Sequence, residues 1–412
     1  MSLSFNLLNF TSPNGAISSV TANASGVGSN GIQSAKTRTA RISYTYIVNN
    51  NMVNEARFGW FKDRRGQDLS PELAPPNGLR SGLTVQGQGG PGVSTNIPNI
   101  QPSEDRYQYA DNLSWNKGTH QLKFGLDFAL LRDTENALFN GPGSYTYGSI
   151  NDFALDYSGA TNGKHWLSFT ETFGPLLTHA SVDNYAVFFQ DQWRVTSNFT
   201  VNYGVRYEYS TYTQPPLNPD YPQTANLNQP GNYIAPRIGL AYSLNGGKTV
   251  LRAGYGIFYA RLPSASVIRL QQRNGVIQKT GTLSAANAAQ LAAGPVFPFR
   301  LTSLAGSVGL TNVTYAAPDL ATPYTQQADV TVEQGVGKNG ALTVSYLHSR
   351  GYKFISREDL NLGPATGSAT YNIINLDGTT GSFITPTHLA ANFLGLQRTT
   401  WRHLKGRLIV NR

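Results

Sequence analysis

Polar and apolar residues alternate at every second position over long stretches of the chain, the period of a strand with two chemically different faces. From Tyr185 the odd positions read Tyr185, Val187, Phe189, Asp191, Trp193 and Val195, and the even ones Ala186, Phe188, Gln190, Gln192 and Arg194. After a break at Thr196, Ser197 and Asn198 they resume as Phe199, Val201, Tyr203, Val205, Tyr207 and Tyr209 against Thr200, Asn202, Gly204, Arg206 and Glu208. The pattern predicts two strands of about ten residues joined by a tight turn.

The same unit recurs. Leu122, Phe124, Leu126, Phe128 and Leu130 oppose Gln121, Lys123, Gly125, Asp127 and Ala129, and the turn "NKGTH" joins them to a strand bearing Tyr107, Tyr109, Leu113 and Trp115. Ile42, Tyr44 and Tyr46 match Ala56, Phe58 and Trp60 across "NNNM". Ile238, Leu240 and Tyr242 lead through "NGGK" to Leu251, Ala253, Tyr255, Ile257 and Tyr259, and a fifth unit from Gln326 to Val332 returns from "GVGKNG" through Leu342, Val344 and Tyr346. The expectation is about ten strands in five hairpins over residues 39–351, flanked by an irregular segment at 1–38 and an irregular or atypical one at 352–412. Connections within hairpins are short. Those between hairpins (64–105, 133–183, 211–233 and 261–324) are long and rich in Pro, Gly and Asn, which places long loops on one edge and tight turns on the other. An Ala-rich stretch from Ser284 to Gly294 predicts a small helix inside one loop.

A soluble sandwich and a membrane barrel both alternate, and strand length separates them. Sandwich strands are typically five or six residues, whereas strands of about ten cross a bilayer on a tilt. Here the polar face carries Arg, Asp, Glu, Asn, Gln and Gly, which suits an aqueous lumen, and Tyr, Trp and Phe gather toward strand ends as interfacial girdles do. Composition agrees: charged residues are 13%, about half the share usual in soluble domains. The fold expected is all-β, an antiparallel up-and-down transmembrane β-barrel, partial, with short periplasmic turns and long extracellular loops. Asp191 interrupts the lipid-facing stripe, which predicts a place at the membrane edge beside the turn.

Net charge is +9, but the last fifteen residues hold Arg398, Arg402, Lys405, Arg407 and Arg412 and no acid. The other bases are scattered, so no nucleic-acid partner is expected. With no Cys, disulfides, thiolate metal sites and a Cys nucleophile are excluded. The six histidines lack metal-ligand spacing, "AGYGIF" lacks the third glycine of a nucleotide fingerprint, and no Ser/His/Asp set accompanies the carboxylates. The reading is therefore of a chain that is not an enzyme, with no catalytic, cofactor or metal residues.

Phe189-Gln190-Asp191, Trp193 and Val195-Thr196, then Gly204-Val205-Arg206-Tyr207-Glu208, Ala235-Pro236-Arg237, Gly239 and Leu251 to Tyr259 form a connected phrase. It resembles the barrel of TonB-dependent outer-membrane receptors, in particular their Oar-like branch. The resemblance extends more weakly over 41–132 and 326–351. It implies a receptor in the outer membrane that admits a large substrate (an oligosaccharide, peptide or chelate) with energy from the TonB complex. Family members are longer, with a signal peptide, a carboxypeptidase-like β-sandwich, a TonB box and a plug inside about 22 strands. None of those N-terminal parts is recognisable here, and the chain ends at Arg412 where such barrels usually end on an aromatic residue, so a fragment is expected. The partners implied are outer-membrane lipid, the substrate and, in the full-length family, TonB.

Arg206, Glu208, Arg237, Arg252 and Asp127 fall on the predicted lumen face, where opposite charges pair in water. Gly204, Gly239, Gly254 and Gly256 share that face, easing curvature or leaving space. Tyr145, Tyr147, Trp166, Tyr212 and Tyr221 lie in the long loops, where they either stack on a sugar or peptide or pack the loops together. The alternative function is a soluble or surface β-rich binding or adhesion module without transport.

Overall fold

A computed structural model describes residues 1–16, 30–69, 81–86, 101–159, 163–229, 231, 233–304, 313–337, 339–359, 365–374, 378–387, 398–403 and 408–411. In chain order the first elements are β1 (Ser2–Ala16), β2 (Asn30–Asn49), β3 (Met52–Leu69), β4 (Gly82–Val85), β5 (Gln101–Lys117), β6 (His120–Asn136), β7 (Ser144–Tyr147), α1 (Ile150–Ser158) and β8 (Trp166–Phe173). Then come β9 (Leu177–Arg194), β10 (Phe199–Tyr212), β11 (Tyr233–Leu244), β12 (Thr249–Tyr259), α2 (Ser264–Gln272), β13 (Lys279–Ser284), α3 (Ala288–Ala293) and β14 (Val313–Ala316). The last are β15 (Tyr324–Val336), β16 (Gly340–Tyr352), β17 (Ile355–Asp359), β18 (Gly367–Ile374), β19 (Thr380–Thr387), β20 (Arg398–His403) and β21 (Leu408–Asn411).

Twelve strands form one antiparallel sheet in the order β1-β2-β3-β5-β6-β9-β10-β11-β12-β15-β16-β21. Its two edges, β1 and β21, are not paired with each other among the described residues, so the sheet is open. All ten expected strands are present, in the expected hairpins. Ile42 lies opposite Phe58, Leu113 opposite Phe124, Val205 opposite Phe189, and Leu251 opposite Tyr242. Matching like with like at these rungs keeps one face largely apolar through the middle of the sheet, with Asp191 opposite Leu122 and Tyr203 as an exception. That face stays uncovered: Val187, Val205, Ile238, Val330 and Val344 are all exposed. Where the turns need φ above zero the sequence supplies Gly118 (60°) and the pair Asn245 (52°) and Gly246 (65°).

One expectation is corrected: Ser2–Ala16, expected to be irregular, is a strand that pairs with β2 from Ser2 opposite Ser43 to Ala16 opposite Asn30. Among the described residues the 352–412 segment holds five short strands. β17 pairs antiparallel and β14 pairs parallel with β20, β18 and β19 make a hairpin, and β21 adds to β16.

Strands are also longer than expected. At about 3.3 Å per residue, the 18 residues of β9 reach roughly 60 Å, which at a 45° tilt still exceeds an apolar band about 25 Å tall. The excess lies on the long-loop side. Among the described residues no helix is long and apolar enough to cross a membrane, and strands are the crossing elements.

The loops carry their own structure. A four-stranded sheet, β13-β8-β7-β4, draws its strands from three separate connections. The predicted Ala-rich helix is α3, capped by Asn287, whose side chain accepts from the amides of Ala289 (3.1 Å) and Gln290 (3.2 Å).

Candidate functional site

Polar side chains of the lumen face meet across neighbouring strands. Arg206 Nε lies 2.5 Å from Glu208 Oε1 on β10, and Arg206 Nη2 is 3.7 Å from Asp127 Oδ2 on β6. Gln108 of β5 donates to the other oxygen of Asp127 at 3.1 Å. Arg252 of β12 pairs with Glu333 of β15 at 2.9 Å. Arg237 has a different partner: its guanidinium lies 4.5 Å from the centre of the Phe258 ring. The five lumen-face candidates thus share one wall. Three of them, Asp127, Arg206 and Glu208, form a cluster, while Arg237 and Arg252 stand apart.

The glycines of this wall do three different jobs. At Gly204 a Cβ would come within 2.6 Å of the Phe189 carbonyl oxygen, so close backbone approach requires glycine. At Gly125 and Gly256 the space is taken by rings: a Cβ would meet Phe188 Cε1 at 2.2 Å and Phe258 Cε2 at 3.0 Å respectively. At Gly254 it is taken by Asp329, whose Oδ1 would lie at 2.5 Å. At Gly239 a Cβ would meet only ordinary van der Waals neighbours, the nearest being Asn202 Cβ at 3.7 Å. Around Gly204 and Gly239 the wall dips into a hollow of about 470 Å³, bordered by Lys123, Phe188, Gln190, Asn202, Arg206 and Arg237. A second hollow of about 450 Å³ lies between β1 and β6, over Gly59, with Arg41, Arg57 and Asp127 in its rim.

Above this wall the loops build a body with two cores. In the first, Val85, Tyr145, Tyr147, Trp166, Phe169, Leu283 and Phe297 are buried together. Every buried polar tip there has a partner: Trp166 Nε1 donates to the Pro295 carbonyl (3.0 Å), Tyr145 OH to the Phe299 carbonyl (2.5 Å) and Tyr147 OH to Asp156 Oδ2 (3.0 Å). Asp156 also accepts from the His165 amide at 2.9 Å and sits 2.6 Å from its ring Nδ1. Glu171 is fully buried and holds Arg300 Nε and the Leu301 amide, each at 2.9 Å. Burial pushes the Glu171 carboxyl above the usual range, outweighing the lowering effect of Arg300 and the Leu301 amide. The phenols of Tyr145 and Tyr147 are raised far above their ordinary value, first by burial and then by nearby carboxylates.

In the second core, Val267, Ile268 and Leu270 of α2 pack on Ala180 and Val182 of upper β9, with Tyr212 and Leu227 beside them. Ser264 at the start of α2 donates to Asp133 Oδ2 (2.7 Å), and Arg269 approaches Glu135 (3.5 Å) while lying 4.0 Å from the centre of the Phe139 ring. The side chains of Ala180 and Val182 share a face with Phe188 and Gln190, so α2 sits in the mouth of the lumen. Of the five loop aromatics, Tyr145, Tyr147 and Trp166 are fully buried and Tyr212 nearly so, packed among the loops, and Tyr221 is half-buried.

Asp191 is placed as expected beside the periplasmic turn, but it is 1% exposed. Its Oδ2 lies 2.7 Å from His120 Nδ1 and accepts from Tyr203 OH at 2.9 Å, while Trp193 stacks on His120. A wall with one apolar outer face, one charged inner face and all its large loops on a single edge describes a barrel built for an outer membrane. A family model described as an outer membrane beta barrel domain matches residues 2–406.

The chain belongs to this outer-membrane barrel family. Its place is the outer membrane, and the soluble reading is set aside. A search of curated proteins returns no match. Among solved structures the barrel is similar to the outer membrane transporter YddB from Escherichia coli, at 15% identity and TM-score 0.48, over 97% of this chain and 47% of that one. It is similar also to a mutant ferric enterobactin receptor, PfeA, from Pseudomonas aeruginosa in complex with enterobactin (11%, TM-score 0.48, 93% and 41%). A third is the FrpB iron transporter from Neisseria meningitidis (11%, TM-score 0.43, 80% and 39%). The chain spans less than half the length of these relatives. What the sequence of this barrel did not reveal is the polar triad at Asp191 and the shared core of the loops. Their residues stand up to about two hundred positions apart, and no local period links them.

Proposed function

We propose that this chain forms barrel wall and outer loops of a TonB-dependent receptor that takes up a large substrate across the outer membrane. The observation that carries the reading is the loop body: three connections converge in one core above the polar wall, and in a second core α2 packs against upper β9. A passive pore needs an open mouth, whereas a receptor needs a shaped outer surface above a lumen that something must open. The phrase from Phe189 to Tyr259 and the family of the chain point the same way. Oligosaccharides, peptides and chelates are the substrate classes of suitable size.

The test is uptake by cells with the complete gene intact, deleted, or intact in a background lacking TonB. Labelled oligosaccharides, peptides and metal chelates are offered in parallel. Loss of uptake of one class in both altered strains is the expected result. If uptake of all three is unchanged by deleting the gene, or persists without TonB, the reading fails and a surface binding module without transport takes its place.

A further inference from the structure

We propose that the hollow over Gly204 and Gly239 is a binding subsite for an anionic group, a carboxylate or phosphate, held between Lys123 and Arg237. As a statement about substrate it rests on the uptake reading; as a statement about binding it stands on the wall itself. Strand register puts the two cations in one row, since Lys123 is opposite Gln190, Gln190 opposite Gly204, and Gly204 opposite Arg237. Three strand spacings separate their backbones by about 14 Å. Between them the row has a glycine, Gly204, and Gly239 on the next row likewise carries no side chain, so two long side chains overhang a depression rather than a flat sheet.

Charge makes the hollow selective. Among the described residues neither Lys123 nor Arg237 has a carboxylate within 4.0 Å. Arg206, also in the rim, is already matched by Glu208 and Asp127. The Phe258 ring beneath Arg237 holds its guanidinium without neutralising it. Two uncompensated positive charges in a walled concavity concentrate anions from solution. Lys123 and Arg237 then offer charge-assisted hydrogen bonds, with the amides of Gln190 and Asn202 as neutral donors in the same rim. A volume of about 470 Å³ accommodates a small organic acid. The neighbouring hollow supplies the contrast. It too has two cations, Arg41 and Arg57, but a carboxylate, Asp127, lines it directly, whereas no carboxylate lines the first.

The experiment is calorimetric titration of the full chain, folded in detergent micelles, with citrate and separately with inorganic phosphate, and with glycerol as the uncharged control. Saturable binding of at least one anion and none of glycerol is expected, and the stronger of the two anions assigns carboxylate or phosphate. Lys123→Gln and Arg237→Gln each weaken binding about tenfold. Gly239→Leu, which fills the hollow without touching charge, abolishes it. Lys123→Arg keeps affinity within about threefold, and Arg41→Gln changes it by less than twofold. Heat-modified gel mobility reports folding of each variant; if a Gln variant does not fold, Gly239→Leu and Arg41→Gln decide. Absence of saturable anion binding overturns the proposal, as does an effect of Arg41→Gln equal to that of Lys123→Gln, which would mean a diffuse field. Failure here with TonB-dependent uptake intact removes the subsite and leaves the receptor. Anion binding without any uptake does the reverse.

Discussion

Val205 and Asn202 stand three positions apart on β10 and face opposite media. Val205 lies near the middle of the outward stripe and is 42% exposed, while Asn202 lines the hollow over Gly239. Val205→Arg places a charge near the bilayer midplane at a cost of about 2–4 kcal/mol. Asn202→Arg places the same charge in water and costs less than about 1 kcal/mol. Denaturant unfolding in lipid bilayers measures both, and equal costs would contradict the assignment of faces. Asp191 presents a different problem for a single residue: its carboxylate is buried and shared by His120 and Tyr203. Asp191→Ala leaves both partners unmatched and is expected to cost about 1–3 kcal/mol. In a double-mutant cycle with Tyr203→Phe the two changes should fall well short of additive; additive costs would mean that the hydrogen bond contributes nothing.

At the scale of the element, pairs of strands are locked by a ring laid over a glycine. Gly125 on β6 is the seat of the Phe188 ring on β9. Gly125→Val should overpack this seat and cost about 1–3 kcal/mol, and Phe188→Ala in the same chain should recover part of the loss. If the second change adds to the first, the ring does not occupy that seat. The loop body tests a different interaction. Tyr145 and Tyr147 are buried with their phenols raised above the ordinary value near 10. A raised folded value means that their contribution to stability is complete below about pH 10 and is lost as pH climbs above it. Ultraviolet titration should therefore show exposed tyrosines ionising first, followed by a cooperative late step that coincides with unfolding of the loops. A single smooth titration would place these rings in water.

These elements also mark what the sequence could say. Ten strands were legible because Leu, Val, Tyr and Phe recur at period two wherever one face meets lipid and the other water. β1 was missed because Leu8 and Phe10 break its alternation after Leu3, Phe5 and Leu7. The upper part of β9 carries Ala180 and Val182 on its inner face, reversing the polarity found lower down, because α2 covers it. Of the site, Arg206, Glu208 and Asp127 could be placed together by parity. Tyr145, Tyr147 and Trp166 could not be assigned between stacking and packing, since that depends on contacts with Phe297 and Pro295, far away along the chain.

For the whole molecule the outstanding property is sidedness. Hairpin turns at Gly118, Asn198 and Asn245 lie on one edge, and α1, α2 and α3 on the other. The natural absence of cysteine makes this measurable. Single cysteines at Asn245 and at Leu217, which is 63% exposed, should respond oppositely to a membrane-impermeant maleimide applied to intact cells. Leu217→Cys should label at once, and Asn245→Cys only after the outer membrane is permeabilised. The reverse pattern would invert the barrel.

The loop core is assembled from Val85, Trp166 and Leu283, which reach it from three separate connections. None of those connections can complete the core before the other two arrive. The loop body therefore closes as a unit, and removing any one of the three contributions leaves the other two with an apolar face uncovered.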